Sequence, residues 1–260
     1  MFAGRLMLGL VALVALSVTS LPQAAAGEPE FALDARVTLE AFRATVDARL
    51  EGGVTATRLL AATDEVRSGE WDRIRGPLGV LATNLPDAAA VWYAKADGSL
   101  FTVAKGATGD TLRERAYFPS LMAGRDVIGS LVISKSTGKR SVIVASPVLA
   151  NGTVAGAVGV SFDATRLAAS IDRAIRFPPD VVFYTLDGNG QTALHRAGEL
   201  IFAFPSEVGG ATLGDAVKTM LSEPEGVVHY HYGGSDKTAV FARSPLTGWT
   251  YVLGKAHPAR

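Results

Sequence analysis

Two Asp-Gly pairs 90 positions apart, Asp97-Gly98 and Asp187-Gly188, constrain the fold of this chain most. Each sits between runs that alternate apolar and polar residues, AAVWYAKADGSLFTVAKG and VVFYTLDGNGQTALHRAG. An Asp-Gly pair in that setting closes a tight hairpin, because both residues tolerate the positive φ that the turn demands. After the first pair come three more strand-like runs, DVIGSLVISKS, KRSVIVASPVLA and TVAGAVGVSFD, jointed at Thr137-Gly138 and Asn151-Gly152. After the second come GVVHYHYGG, KTAVFARSP and GWTYVLGKA. Each half thus reads as a hairpin, a loop with a helix, and a three-stranded meander. The repeat lies in organisation more than in identity.

Helical spacing fills the rest. Phe31, Val37, Leu39, Phe42, Val46, Leu50, Val54, Leu59 and Leu60 recur at near-helical intervals and predict one long helix from Glu30 to about Val66, weakened or bent at Gly52-Gly53 and running along the outside of the molecule. Shorter helices are expected near Trp71 to Leu85, over Thr165 to Arg176 before Phe177-Pro178-Pro179, and from about Thr212 to Ser222. The fold class is α+β, with two antiparallel sheets carrying helices on one side, behind a long N-terminal helix. The expected divisions are 1–26, 27–86, 87–179 and 180–257.

Residues 1–26 read as a cleaved export signal: Arg5, then the 13-residue apolar run Leu6–Val18, then PQAAAG, with cleavage after Ala26. An uncleaved anchor is the alternative, but the run is short of the ~20 residues that span a bilayer. The expected location is the periplasm. With 25 Lys and Arg against 25 Asp and Glu, the chain lacks the basic field that drives nucleic-acid binding. The absence of cysteine excludes disulfides, thiolate nucleophiles and a lipidated N-terminal cysteine.

AVWYAKADGSLF and RERAYFPSLMAGRDVIGSLVISKSTGKRSVIVASPVLANGTVAGAVGVSFDATRL, behind the long helix, resemble the membrane-distal half of double Cache (dCache) extracytoplasmic sensor domains. GDAVKTMLSEPEGVVHYHYGGSDKTAVFARSPLTGWTYVLGKA is similar to their membrane-proximal half. The likeness runs from about Phe31 to Lys255. It implies two PAS-like modules, over 87–179 and 180–257, with a small-molecule ligand in the first, between the sheet and the loop and short helix that cover it. Members are mostly heads of chemoreceptors, histidine kinases and cyclic-dinucleotide enzymes. Only AHPAR follows Lys255 here, so the expectation is a free-standing member that signals through a membrane receptor or histidine kinase in trans. The alternative is a ligand-independent interaction protein docking on such a partner.

The stretch RERAYFPSLMAG, residues 113–124, is the expected cover. Arg115 offers a planar fork that matches a carboxylate, and Tyr117 a hydroxyl and an aromatic wall. Without the resemblance, the stretch reads as the charged start of a surface helix with Tyr117 and Phe118 in the core. In the amino-acid-binding branch an Arg-x-Trp-Tyr motif grips the ligand carboxylate, and here Arg115, Tyr117 and Phe118 match it. That branch also holds the ligand's ammonium with an aspartate where Ser161 stands, and has a tyrosine where Asp110 stands. The nearest acid, Asp163, reads more simply as a helix N-cap. The resemblance therefore implies an organic acid without an ammonium group. Trp92, Tyr93, Ser146 and Ser161 lie on strands that floor such pockets in the family, although large apolar residues on strands are more often core.

Other constellations point elsewhere. His229 and His231 share a strand face at a chelating spacing, but no further ligand pattern accompanies them, and a strand face is the simpler reading. Asp187-Gly188-Asn189-Gly190 lacks the closing glutamate of a calcium loop and reads as a turn. No nucleophile elbow, P-loop or dinucleotide turn is present. The sequence therefore predicts a binding module without catalytic residues, metal or cofactor.

Overall fold

The structure, a computed structural model, describes residues 28–257, and the expected leader over 1–26 lies outside the described residues. Helix α1 (Glu28–Ala61) is followed by the one-turn α2 (Asp64–Arg67) and by α3 (Trp71–Asn84). Next come β1 (Ala88–Lys95), β2 (Ser99–Thr102), β3 (Gly106–Thr111) and the short α4 (Phe118–Met122). Then β4 (Val127–Ile133), β5 (Arg140–Ala150) and β6 (Thr153–Asp163) complete a first sheet, and α5 (Ala164–Ile175) leaves it. The second part holds β7 (Val181–Leu186), β8 (Thr192–His195), α6 (Pro205–Val208), α7 (Gly210–Ser222), β9 (Glu225–Tyr232), β10 (Ser235–Arg243) and β11 (Thr250–Ala256). No described helix is long and apolar enough to cross a membrane.

Both hairpins form where the Asp-Gly pairs stand, with the positive φ on Gly98 in the first and on Gly190 in the second, and their aspartates hold them. Asp97 Oδ1 accepts the Ser99 amide at 2.8 Å; Asp187 Oδ1 accepts the amides of Asn189 and Gln191 at 2.9 and 2.8 Å. The strand order is β3-β2-β1-β6-β5-β4 in the first sheet and β8-β7-β11-β10-β9 in the second. Every pairing is antiparallel. In both sheets the last strand of the meander slots in beside the first strand of the hairpin, so the repeat suspected from the turns is a repeat of topology. Strand β3, the extra edge strand of the first sheet, has no counterpart in the second and was not expected from the sequence.

Helix α1 runs along the outside as expected, with one face open to solvent and the other buried, and it is unbroken through Gly52-Gly53. Ala35, Leu39, Phe42, Val46, Leu50 and Val54 fall at intervals of three or four and are all buried. They join one apolar cluster that includes Val144, Val160 and Phe162 of the first sheet, Phe183, Val240 and Tyr251 of the second, and Leu167 and Ile171 of α5. Gly53 is a point of close approach rather than a hinge. A Cβ there would lie 3.0 Å from the Phe162 ring and from Val144 Cγ2. Val37 and Leu59, which the spacing also selected, point to solvent and are 70% and 69% exposed.

Polar contacts fix the register of α1 on each side. Toward the second sheet, Asp47 accepts hydrogen bonds from Tyr251 Oη at 2.9 Å and Ser244 Oγ at 2.7 Å. Toward the first, Thr57 and Ser146 hydroxyls lie 2.8 Å apart in the buried interface. Phe42 meets Phe177, Phe183 and Tyr251 edge-on, with centroids 5.6, 5.1 and 5.1 Å away. Truncating a buried Phe costs about 3–5 kcal/mol, transfer and cavity together. Phe42→Ala should therefore lower the unfolding free energy in urea by about that amount, whereas the exposed Val37→Ala should change it by less than about 0.5 kcal/mol. Equal effects of the two would mean that this helix face does not carry the core.

Candidate functional site

Side chains alternate across a strand, so each sheet has an inner face on α1 and an outer face. On β1, Val91 and Tyr93 point inward while Trp92 and Ala94 point outward. The outer face of the first sheet is covered by residues 112–122, which enter a separate apolar cluster through Leu112, Tyr117, Phe118 and Leu121. This is the segment that the family resemblance implies as the cover. Its turns are closed by backbone hydrogen bonds from the Arg115 amide to the Leu112 carbonyl and from the Phe118 amide to the Arg115 carbonyl, both 2.9 Å.

Beneath the cover is a first cavity, lined by Trp92, Arg115, Tyr117 and Ser161 and also by Leu100, Leu112, Val132, Ser134, Lys135, Ser136 and Ile143. Its volume of about 20 Å³ accommodates about one water molecule. Trp92 fills much of the space. Its ring lies flat over Gly159, where a Cβ would come within 2.1 Å of it, and its Nε1 donates to Ser161 Oγ at 3.2 Å. Arg115 is half-buried at the rim and donates to the Ile133 carbonyl at 2.7 Å. Lys135 reaches Glu114 Oε2 at 3.2 Å. Burial pushes the Tyr117 hydroxyl up to about 12 against the opposing effect of Arg115, so it stays a neutral donor.

The seven residues singled out from the sequence therefore separate into groups. Trp92, Arg115, Tyr117 and Ser161 come together around the cavity. Phe118 is buried in the same cluster but does not line the cavity. Tyr93 and Ser146 lie on the opposite face of the sheet, against α1: Tyr93 follows Trp92 directly and so points the other way, and Ser146 shares the parity of Val142 and Val144. Ser146 is bonded there to Thr57 and, at 3.4 Å, to the Val54 carbonyl. Ser134, Lys135 and Ser136 were missed because they lie in and beside the β4–β5 turn, where no periodic signal marks a face.

Asp163 is the N-cap of α5. Its Oδ1 accepts the amides of Thr165 and Arg166 at 3.1 and 3.2 Å, and its Oδ2 meets Lys139 Nζ at 2.8 Å. Burial raises its pKa, but Lys139 and the Arg166 amide outweigh that and hold it below the ordinary carboxylate value. It is committed to the helix. His229 and His231 also have separate partners, Thr238 Oγ1 and Asp236 Oδ1, each at 2.9 Å.

The outer face of the second sheet carries a larger cavity that the sequence analysis did not anticipate. About 250 Å³ lies between the sheet residues Val182, Tyr184, Tyr230 and Tyr232, the β8 residues Thr192 and His195, and a cover that includes Leu200, Ala203, Val208 and Leu213. Tyr184 and Tyr230 bring their hydroxyl oxygens to 3.5 Å, and burial raises both pKa values. His195 stacks on Tyr184 with centroids 5.7 Å apart, and its Nδ1 accepts the Ala197 amide at 2.8 Å. That hydrogen bond leaves the proton of the neutral ring on Nε2.

Comparison with protein-family models and with curated proteins finds no match. Solved structures do match in fold. The ligand-binding domain of the Pseudomonas aeruginosa PAO1 amino acid chemoreceptor PctB, in complex with L-Arg, superposes with a TM-score of 0.71 at 15% identity, over 88% of this chain and 95% of that one. The sensor domain of the V. cholerae histidine kinase DctB gives 0.68 at 13% identity, over 89% and 99%. An extracellular ligand binding receptor from Desulfohalobium retbaense DSM5692 gives 0.66 at 18% identity, over 86% of this chain but 40% of the receptor. The long helix followed by two sheets is the double Cache architecture of such sensor domains.

His195 supplies a test of the second cavity's burial. Burial pushes its pKa down from 6.5 to about 4, against the opposing effects of Glu199 and the Ala197 amide. The unfolded chain then binds a proton that the native chain does not between about pH 4 and 6.5, so this contribution is complete above pH 6.5 and is lost as pH falls toward 4. Denaturant unfolding across that window should show wild type taking up about one more proton on unfolding than His195→Asn near pH 5. Parallel profiles for the two proteins would mean the ring is solvated in the native state.

Proposed function

We propose that this double Cache chain is an extracytoplasmic sensor module whose first cavity takes a small carboxylate gripped by Arg115. The observation that carries the reading is the charge of the lining. Arg115 and Lys135, the latter paired with Glu114, stand at the cavity with the hydroxyls of Tyr117, Ser134, Ser136 and Ser161, and among the described residues no Asp or Glu lines it. An anion gains from that set, and an ammonium group has nothing there to meet. The assignment of Asp163 to the α5 cap supports the same preference, since the nearest acid is already occupied.

At about 20 Å³ the cavity admits such a ligand only when the cover moves. Arg115 would exchange the Ile133 carbonyl for a carboxylate, trading a neutral acceptor for a charged one in bidentate geometry. Leu112, Tyr117, Phe118 and Leu121 anchor the cover, so the motion falls on residues 113–116 between them, which are exposed or half-exposed. Movement of the cover would be the event reported to a membrane receptor or histidine kinase in trans. The expected export signal over 1–26 and the periplasmic location belong to the same reading.

The small cavity also favours a second reading, in which the chain is an interaction protein that docks on its partner without ligand. A thermal-shift screen of small mono- and dicarboxylates followed by calorimetry separates the two. The first reading predicts a stabilising acid, worth roughly 2.7 kcal/mol at a hundredfold excess over its dissociation constant, and loss of the shift in Arg115→Ala. If no acid stabilises wild type, or Arg115→Ala responds like wild type, the Arg115 site is wrong and ligand-independent docking gains.

A further inference from the structure

The internal repeat allows the two outer faces to be compared position by position. Trp92 stands five residues before Asp97, and Val182 five before Asp187. In the sheets Trp92 pairs with Gly159 of β6, and Val182 pairs with Gly254 of β11. Both partners are glycine, so in each sheet the neighbouring strand leaves room over its backbone. In the first sheet an indole occupies that room, and about 20 Å³ remains; in the second the cross-strand residue is the smaller Val182, the Tyr230 hydroxyl comes 3.1 Å from where a Gly254 Cβ would stand, and about 250 Å³ remains. For scale, a cavity of roughly 150 Å³ holds benzene. The second space is ample for a ring with a short polar arm.

Its chemistry differs from that of the first cavity. Apolar side chains and tyrosine rings form most of the wall. Thr192 is 1% exposed, lines the cavity, and its Oγ1 is a buried side-chain polar atom with no hydrogen-bond partner. A buried hydroxyl left unpaired costs about 1–3 kcal/mol, so natural structures rarely leave one without a use. Among the described residues, Lys237 is the only side chain lining the cavity that is charged at pH 7, and in the strand register it lies opposite Tyr230. Among the described residues no carboxylate lines the cavity. His195 is neutral at pH 7 because burial lowers its pKa to about 4.

We propose that the cavity over the second sheet is a binding site for a small monocarboxylate with an apolar, ring-bearing body, whose charge meets Lys237 while its ring packs on Tyr184 and Tyr230 and the Thr192 hydroxyl gains a partner. This site is separate from the Arg115 site. The wall is apolar enough to take a body that water rejects, and a single cation fixes the sign of the head group. A ligand in the first cavity would be small and polar; a ligand here is larger and mostly apolar. The chain would then read two acids of different bulk on two faces.

Phenylacetate is the probe, titrated by calorimetry into the protein at pH 7, with 2-phenylethylamine and phenylacetamide as controls of the same shape. Phenylacetate is expected to bind, the amide at least tenfold more weakly, and the amine not at all. Lys237→Gln, at a half-exposed position, should weaken phenylacetate at least tenfold without lowering the melting temperature. Ala203→Phe should abolish binding by filling the space, and Thr192→Val should weaken it while melting no lower than wild type. Arg115→Ala should leave it unchanged, which separates this site from the first. Absence of binding heat, equal binding of the amine, wild-type affinity in Lys237→Gln, or loss of binding in Arg115→Ala would each overturn the proposal. Should Ala203→Phe fail to fold, Lys237→Gln still decides.

Discussion

The buried stripe of α1, from Ala35 to Ala61, is the contact on which the rest of the structure depends. Both sheets present their inner faces to it, with α3 beside it on the first sheet and α5 reaching strands of both. Fully burying a Phe, Val or Leu side chain is worth about 1.5–3 kcal/mol, so a stripe of several such residues outweighs any single polar contact around it. Gly53 lets the helix lie against Phe162 and Val144, and Asp47 ties it to Tyr251 and Ser244. One helix thus serves as the second layer for two sheets.

With both inner faces occupied, only the outer faces are left to carry sites. Their covers include irregular parts of the chain: residues 112–122 over the first sheet, and the turn at Gly198–Leu200 with α6 over the second, where the regular helix α7 completes the cover. Few long-range backbone hydrogen bonds hold such segments, and that is the usual character of elements that move on binding. The two faces then diverge through side chains on a shared topology. Trp92 over Gly159 closes the first space and leaves a cationic rim, while Val182 beside Gly254 leaves the second open and apolar.

Much of this was legible in the sequence, and the parts that were not have physical reasons. Asp-Gly turns and alternating runs located the hairpins and meanders, since turn chemistry and strand period are local. The partners of α1 were not local: its spacing showed an apolar stripe on an outer helix but not that both sheets would cover that stripe. Trp92 and Tyr93 could never have floored one pocket together, because adjacent strand residues face opposite ways. Ser146 was lost to the same parity, and its hydroxyl serves α1 through Thr57. The second cavity left no sequence signal, as the part of its cover over 198–209 has no period and its opening depends on Val182 standing where the first sheet has a tryptophan.

The claim that one helix is the common layer of both sheets is tested most directly by native-state hydrogen exchange, followed residue by residue. The account predicts that amides of α1 from about Leu39 to Val54 exchange only with global unfolding, at the same free energy as β5, β6, β10 and β11, while residues 112–122 and 198–208 exchange through smaller openings. If α1 amides exchange at lower free energy than the sheets, or if the two sheets unfold at separate free energies with α1 following only one of them, the shared-layer account is contradicted.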